Sequence, residues 1–234
     1  MKACKTLWLL LACTFASAQT ADEIMDKWSK AMGADALAAI KTVYMKGTMT
    51  MPMGSAVTET YIKEGGKIYV HNVVGGGAME QTMACDGKDC YSDDPMGIRL
   101  LDGQEKELMM LQNDPSSQLD WRKLYSKVEY KGEETVNGRK VHHIYSESPA
   151  GMIADSFIDA ETFLMLRQKI VVDLPMGKIP MDLTFSEFTE LEGFKYPRKI
   201  SANMMNMTME TTVTAFQINI TIPDSKFDLP ADLK

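Results

Sequence analysis

Apolar residues recur at every second position from residue 43 onward. Val43, Met45, Gly47, Met49, Met51 and Met53 fall on one face, and Tyr44, Lys46, Thr48 and Thr50 on the other. That period of two predicts a strand with one buried face. Strands are also expected near 56–63, 67–74, 78–86 and 89–93, with turns at Glu64-Gly65-Gly66 and Gly75-Gly76-Gly77. In the second half, Asn137-Gly138 marks a hairpin, and Asp159 to Thr162 divides a strand ending at Ile158 from one beginning at Phe163. Later turns fall at Pro175 to Pro180, Glu192-Gly193 and Met205-Asn206, and the last strand is expected from Met207 to Ile222. This gives about eleven strands joined mostly by short hairpins, hence a mainly β, antiparallel meander. A sheet this wide must curl or split.

Two stretches keep a helical period instead. Thr20 and Glu23 form a T-x-x-E capping box ahead of Ile24, Trp28 and Met32, and Gly33 stops the helix. Asp35 to Ile40 can make a short second helix. Within 95–125 the strand pattern breaks. Asp102 and Glu105 are spaced as an N-cap and its partner, and Leu108, Met109 and Leu111 continue a helix that Pro115 ends. Ser117 can cap a shorter one carrying Leu119, Trp121 and Leu124. Such an insert is suited to covering one face of an open sheet.

The first 18 of the 234 residues read as a secretion signal. Lys2 and Lys5 are the basic region, Leu7 to Ala16 the apolar region, and Ala16-Ser17-Ala18 the cleavage site, so the exported chain is 19–234 and starts at Gln19. A lipobox-like Leu10-Leu11-Ala12-Cys13 offers a rival cut with a lipidated Cys13; Leu11 fits that pattern poorly. Export removes two lysines and turns the net charge of −7 into −9. This disfavours a nucleic-acid partner. No segment of 19–234 has eighteen uninterrupted apolar residues, so no helical membrane span is expected.

Two cysteines remain after export, flanking Asp86-Gly87-Lys88-Asp89. A two-residue turn at Gly87-Lys88 pairs Asp86 with Asp89 and makes Cys85 and Cys90 the next facing pair, as a disulfide requires. A reactive dithiol would favour C-x-x-C, and zinc would need a second ligand pair.

Several stretches resemble the outer-membrane lipoprotein-sorting (LolA-like) family: TADEIMDKWSKAMGADALAAIKTVYMKGTM, DGKDCYS, VNGRKVHHIYSE, FIDAETFLMLRQKI, FTELEGFKYPRKIS and the terminal FDLP. The likeness runs over nearly all of 19–234, and the cysteine pair is not part of the family pattern. The resemblance implies an incomplete, strongly curved barrel with a helical lid. It also implies a noncatalytic periplasmic carrier holding lipoprotein acyl chains in an apolar cavity. Membrane-associated proteins would then donate and accept the cargo, and a monomer is expected.

The residues themselves suggest such a cavity. Nineteen of the 20 methionines survive export, and flexible thioethers suit promiscuous apolar surfaces. The expected wall is the sheet face with Met45, Met49, Met51 and Met83; the expected lid carries Trp28, Leu108, Leu111 and Trp121. The plainer reading is that these residues fill a solid core. A second class of function uses Met49-x-Met51-x-Met53 and Met205-x-Met207-x-Met209 as soft copper ligands, with His71, His142 or His143. No resident metal or cofactor is expected under the first reading. The sequence has no G-x-S-x-G, H-E-x-x-H, P-loop or G-x-G-x-x-G, and adjacent His142 and His143 must point to opposite faces of a strand.

Overall fold

A computed structural model describes residues 19–52, 54–110, 119–174, 177–204 and 207–233. The signal segment, Cys13, Met53, Leu111, Pro115, Ser117 and Met205 lie outside the described residues. Two helices, α1 (Ala21–Met32) and α2 (Ala34–Leu37), lead into β1 (Thr42–Met51), β2 (Gly54–Lys63), β3 (Lys67–Val74), β4 (Met79–Asp86), β5 (Cys90–Asp94) and β6 (Gly97–Leu100). Helices α3 (Gly103–Met110) and α4 (Trp121–Leu124) follow. The chain then makes β7 (Lys127–Val136), β8 (Arg139–Glu147), β9 (Ile153–Asp159), β10 (Met165–Leu174), β11 (Gly177–Leu191), β12 (Phe194–Met204) and β13 (Met207–Ile218).

Among the described residues thirteen strands form one antiparallel sheet in the order β6-β5-β4-β3-β2-β1-β13-β12-β11-β10-β9-β8-β7. Thirteen strands replace the expected eleven or so. The added strand most clearly absent from the pattern is β6. It is only four residues long and exposed throughout, and the alternation of Ile98, Arg99 and Leu100 is too short to mark a strand. The sheet is not closed: β6 and β7 are its edges among the described residues. The chain makes two meanders, β1 to β6 and β7 to β13, joined where β1 pairs with β13.

Local chemistry accounts for most of the boundaries. Thr20 and Glu23 close the capping box reciprocally, at 3.1 and 3.2 Å, and Gly33 ends α1 in the left-handed region at φ 93°. Asn137 and Gly138 both have positive φ, 50° and 79°, as a two-residue hairpin turn requires. Phe163 is not yet strand: its φ is 56°, and β10 starts two residues later. The last strand stops at Ile218, because Asn219 turns to φ 54°. The C-terminal segment then folds back over the outer face. Lys226 lies over the rings of Tyr61 and Tyr69, Asp224 meets Lys63 and Lys67, and Phe227 of the FDLP stretch is buried.

The cysteine hairpin follows its expected register. Cys85 faces Cys90 with a Cα–Cα distance of 4.0 Å, and the two form a disulfide. The Asp86 carboxylate accepts from the Lys88 and Asp89 amides at 2.8 and 2.9 Å, and Gly87 supplies the positive φ.

Candidate functional site

One stripe of α1, Ile24, Met25, Trp28 and Met32, is buried on the inner face of the sheet. The cluster it joins draws Val43 from β1, Ile62 from β2, Ile68 and Val70 from β3, and both cysteines. From the other meander it draws Ile144, Ile158, Met165 and Phe194. Leu101, Met109, Leu119 and Trp121 complete it. One helix thus shares a core with strands near both edges of the sheet. Methionine is prominent: Met25, Met32, Met109 and Met165 are buried in the cluster, and Met83, partly buried, packs against it.

Helix α4 is held to α1 by polar contacts. Trp121 Nε1 donates to Asp26 Oδ1 at 2.9 Å, and Arg122 donates to both Asp26 oxygens at 2.6 and 3.1 Å. The guanidinium also covers the Trp121 ring. Its hydrogen bond, reinforced by that of Trp121, holds the Asp26 carboxyl below its ordinary pKa against the opposing effect of burial. Ser29 Oγ donates to the Leu119 carbonyl at 2.8 Å.

The expected site residues divide among several environments. Trp28, Trp121 and Met83 share the main cluster. Leu108 instead packs on a second cluster, Met152, Ala154, Ile170 and Val172, with Met181 and Leu183 beside it. Met45, Met49 and Met51 lie on the same face of β1 as Val43 but are only half-buried. Met45 faces Thr60 and Phe216; Met49 faces Ala56 and Thr211. Leu111 is outside the described residues.

The sequence pattern missed a buried polar row on this inner face. Gln168 Nε2 donates to Ser156 Oγ at 3.0 Å and to Tyr125 Oη at 3.4 Å, and Ser146 Oγ donates to the Ala154 carbonyl. Burial raises the Tyr125 phenol pKa, against hydrogen bonds with Gln168 and Ser146. Serine and glutamine at strand positions read as solvent-facing, so no signal distinguished them.

The histidines separate as their adjacency demands. His142 is buried, 3.2 Å from the Tyr130 hydroxyl and stacked near Phe163. His143 lies on the outer face between Glu134 and Asp155, at 2.6 and 2.7 Å. His71 is bonded to Thr82 on β4. It shares a cross-strand row with Glu59 and Lys46, on the face of β1 opposite Met45 and Met49. Of the histidines suggested as partners of the M-x-M runs, His71 and His143 face away from Met45, Met49 and Met51; Met53 and Met205 lie outside the described residues. Among the described residues, no group of three His, Cys, Asp or Glu side chains is arranged to hold a metal.

Hollows among the described residues include the following three. The larger two, ≈ 490 and ≈ 290 Å³, share Asp182 and Asn203, and most of their lining is on the outer face of β9 to β12. Ile153, Val171 and Pro180 line the larger, and the Arg167–Asp182 pair lines the smaller. The third, ≈ 200 Å³, lies between α1 and α4 beside Asp26 and Trp121.

An open antiparallel sheet with an N-terminal helix and a few short helices packed on it defines the class: a LolA-like fold. Solved structures that share it include the following three. A LolA superfamily protein from Nitrosomonas europaea superposes with a TM-score of 0.61 at 11% identity, covering 91% of this chain and 99% of that one. A DUF1329 family protein from Desulfovibrio piger gives 0.61 at 14% identity, covering 90% and 98%. A domain assigned to the outer membrane lipoprotein-sorting proteins, from Vibrio parahaemolyticus, gives 0.56 at 10% identity, covering 89% and 97%. At these identities what is shared is the fold. No family model matches the sequence, and no curated protein does. Among the described residues no helix is long and apolar enough to cross a membrane.

Proposed function

We propose that residues 19–234 form a single noncatalytic carrier domain, exported to the periplasm by the first 18 residues, which binds the acyl chains of lipids or lipoproteins. In this reading the sheet curls into an incomplete barrel, with α1 and the 103–125 segment as its lid. The ligand enters between lid and sheet, against Met45, Met49, Met51 and Met83, with Trp28, Leu108, Leu111 and Trp121 on the lid side. Donor and acceptor proteins at the membranes would load and unload it. The observation that carries the reading is the methionine-bearing core under α1, reached by strands near both edges of an open sheet. A sixteen-carbon chain gains about 12 kcal/mol from leaving water at ~0.8 kcal/mol per methylene. Unbranched thioethers match that apolar environment without imposing one shape.

The test is saturable binding of a fluorescent fatty acid to the exported chain and to Met49→Lys. An unpaired charge in an apolar wall repels the chain. Weaker binding by a variant that stays folded is the expected result. Absence of saturable binding in the wild type refutes the carrier reading. A Met49→Lys protein that merely unfolds marks a solid core.

A further inference from the structure

Trp28 and Trp121 belong to the same core, and their indole nitrogens have different fates. Trp121 Nε1 donates to Asp26 at 2.9 Å. Trp28 is 7% exposed, and its Nε1 has no hydrogen-bond partner among the described residues. A buried indole N–H normally finds an acceptor, and an unpaired one calls for an explanation. Phenylalanine would fill an apolar site here without stranding a donor. The side chains that share the cluster are mainly hydrocarbon and thioether, Met25, Met32, Met83, Met109 and Met165 among them. Thioethers are weak acceptors, and their unbranched chains yield to an incoming group.

We propose that Trp28 Nε1 is the polar recognition point of the ligand site and donates to the carbonyl oxygen of an acyl group. The inference rests on the carrier reading and narrows its substrate class: the ligand is an acyl ester or amide rather than a bare hydrocarbon. A carbonyl oxygen accepts one N–H without bringing a charge into the core, which a carboxylate or phosphate would do. The alkyl remainder lies along the methionines. Trp28 fixes where the head of the chain stops, and the thioethers accommodate its length.

The experiment follows indole N–H resonances by NMR in ¹⁵N-labelled chain 19–234. Only Trp28 and Trp121 contribute there, and Trp28→Phe assigns them. The probes are methyl laurate, N-methyl lauramide and tridecane. The expected result is binding of all three, with the ester and amide about tenfold tighter, a difference of ~1.4 kcal/mol. Only these two move the Trp28 resonance downfield. Trp28→Phe should lose the tenfold preference and keep its affinity for tridecane, which also reports that the variant is folded. A larger response to the amide favours a lipoprotein N-acyl group; a larger response to the ester favours a glycerolipid. Equal affinities with an unmoved Trp28 resonance overturn the proposal and leave the carrier reading standing. Failure of all three probes to bind the wild type overturns both.

Discussion

Gly33 and Gly193 meet backbone to backbone. A Cβ placed on Gly33 would lie 2.1 Å from the Gly193 carbonyl oxygen, and one on Gly193 would lie 3.3 Å from the Ala36 Cβ. The end of α1 is thereby seated on the β11–β12 turn, with no side chain between. Gly33→Ala meets both a left-handed backbone and a collision with main chain that cannot rotate away. The expected loss is about 3 kcal/mol or more. Gly65→Ala is the control: φ is 86°, but nothing lies within 4 Å of its added Cβ. Only the backbone cost of about 1 kcal/mol should remain. Urea midpoints of the two variants check the contrast.

The Asp26 carboxylate is the shared acceptor that joins α4 to α1. Asp26→Ala leaves the buried Trp121 N–H without that acceptor and releases Arg122. The ion pair itself is half-exposed and contributes little; the orphaned indole dominates, giving a loss of about 1–2 kcal/mol. Amide exchange should accelerate in 119–124 before it does in β1 or β13.

His142 gives the fold a pH dependence on its acid side. Burial depresses its pKa and Lys27 adds to the effect, while Glu133 and Asp159 act in the opposite sense. An unfolded chain takes up this proton near pH ~6.5, and the folded one only at lower pH. Stability is therefore complete above ~6.5 and falls as the pH drops from there toward the folded value. His142→Gln should flatten this slope. Denaturation midpoints at pH 7.5 and 5.5, wild type against variant, decide it; equal slopes would contradict the assignment.

Both cysteines are about 1% exposed and close a loop of only six residues. The loop-entropy relation gives about 2 kcal/mol for so short a closure. Cys85→Ala/Cys90→Ala should thus remain folded, with a loss near that figure. Thiol labelling of the native wild type is expected to find no free thiols without reductant. With reductant it should proceed slowly, since the sulfurs are screened by the core.

Much of this architecture was legible in single residues. Thr20, Glu23 and Gly33 bounded α1, Asn137-Gly138 placed a hairpin, and the spacing of Cys85 and Cys90 set a register that the disulfide satisfies. These are local rules, settled by neighbours in the chain. What escaped depends on distant residues. β6 exists because it lines up beside β5, not because of its own pattern. Ser146 and Ser156 are buried, and Gln168 half-buried, by what packs over them. Glu105, expected to cap α3, receives the Arg99 guanidinium at 2.6 and 2.8 Å. Of the residues expected at the site, Trp28, Trp121 and Met83 share one cluster, while Leu108 joins another because α3 lies along β10. The unpaired nitrogen of Trp28 is a property of its surroundings and has no signature in the sequence.

The pairing of β1 with β13 sets the order in which this chain can mature. The Thr214 hydroxyl reaches the Lys46 carbonyl across 168 residues of sequence, whereas nearly every other strand pair is a neighbouring hairpin. Loop closure grows only logarithmically costly with length, about 0.6 kcal/mol per doubling, so the join is slow rather than forbidden. Until residues 207–218 arrive, β1 is a raw margin: a long strand carrying Met45, Met49 and Met51 with one row of its backbone groups unanswered. Such a margin captures whatever strand comes first, including its counterpart in another copy. A chain truncated before residue 207 should therefore aggregate through β1, and adding the 207–218 segment as a peptide should suppress that association. The last-made strand is what renders the first-made half safe.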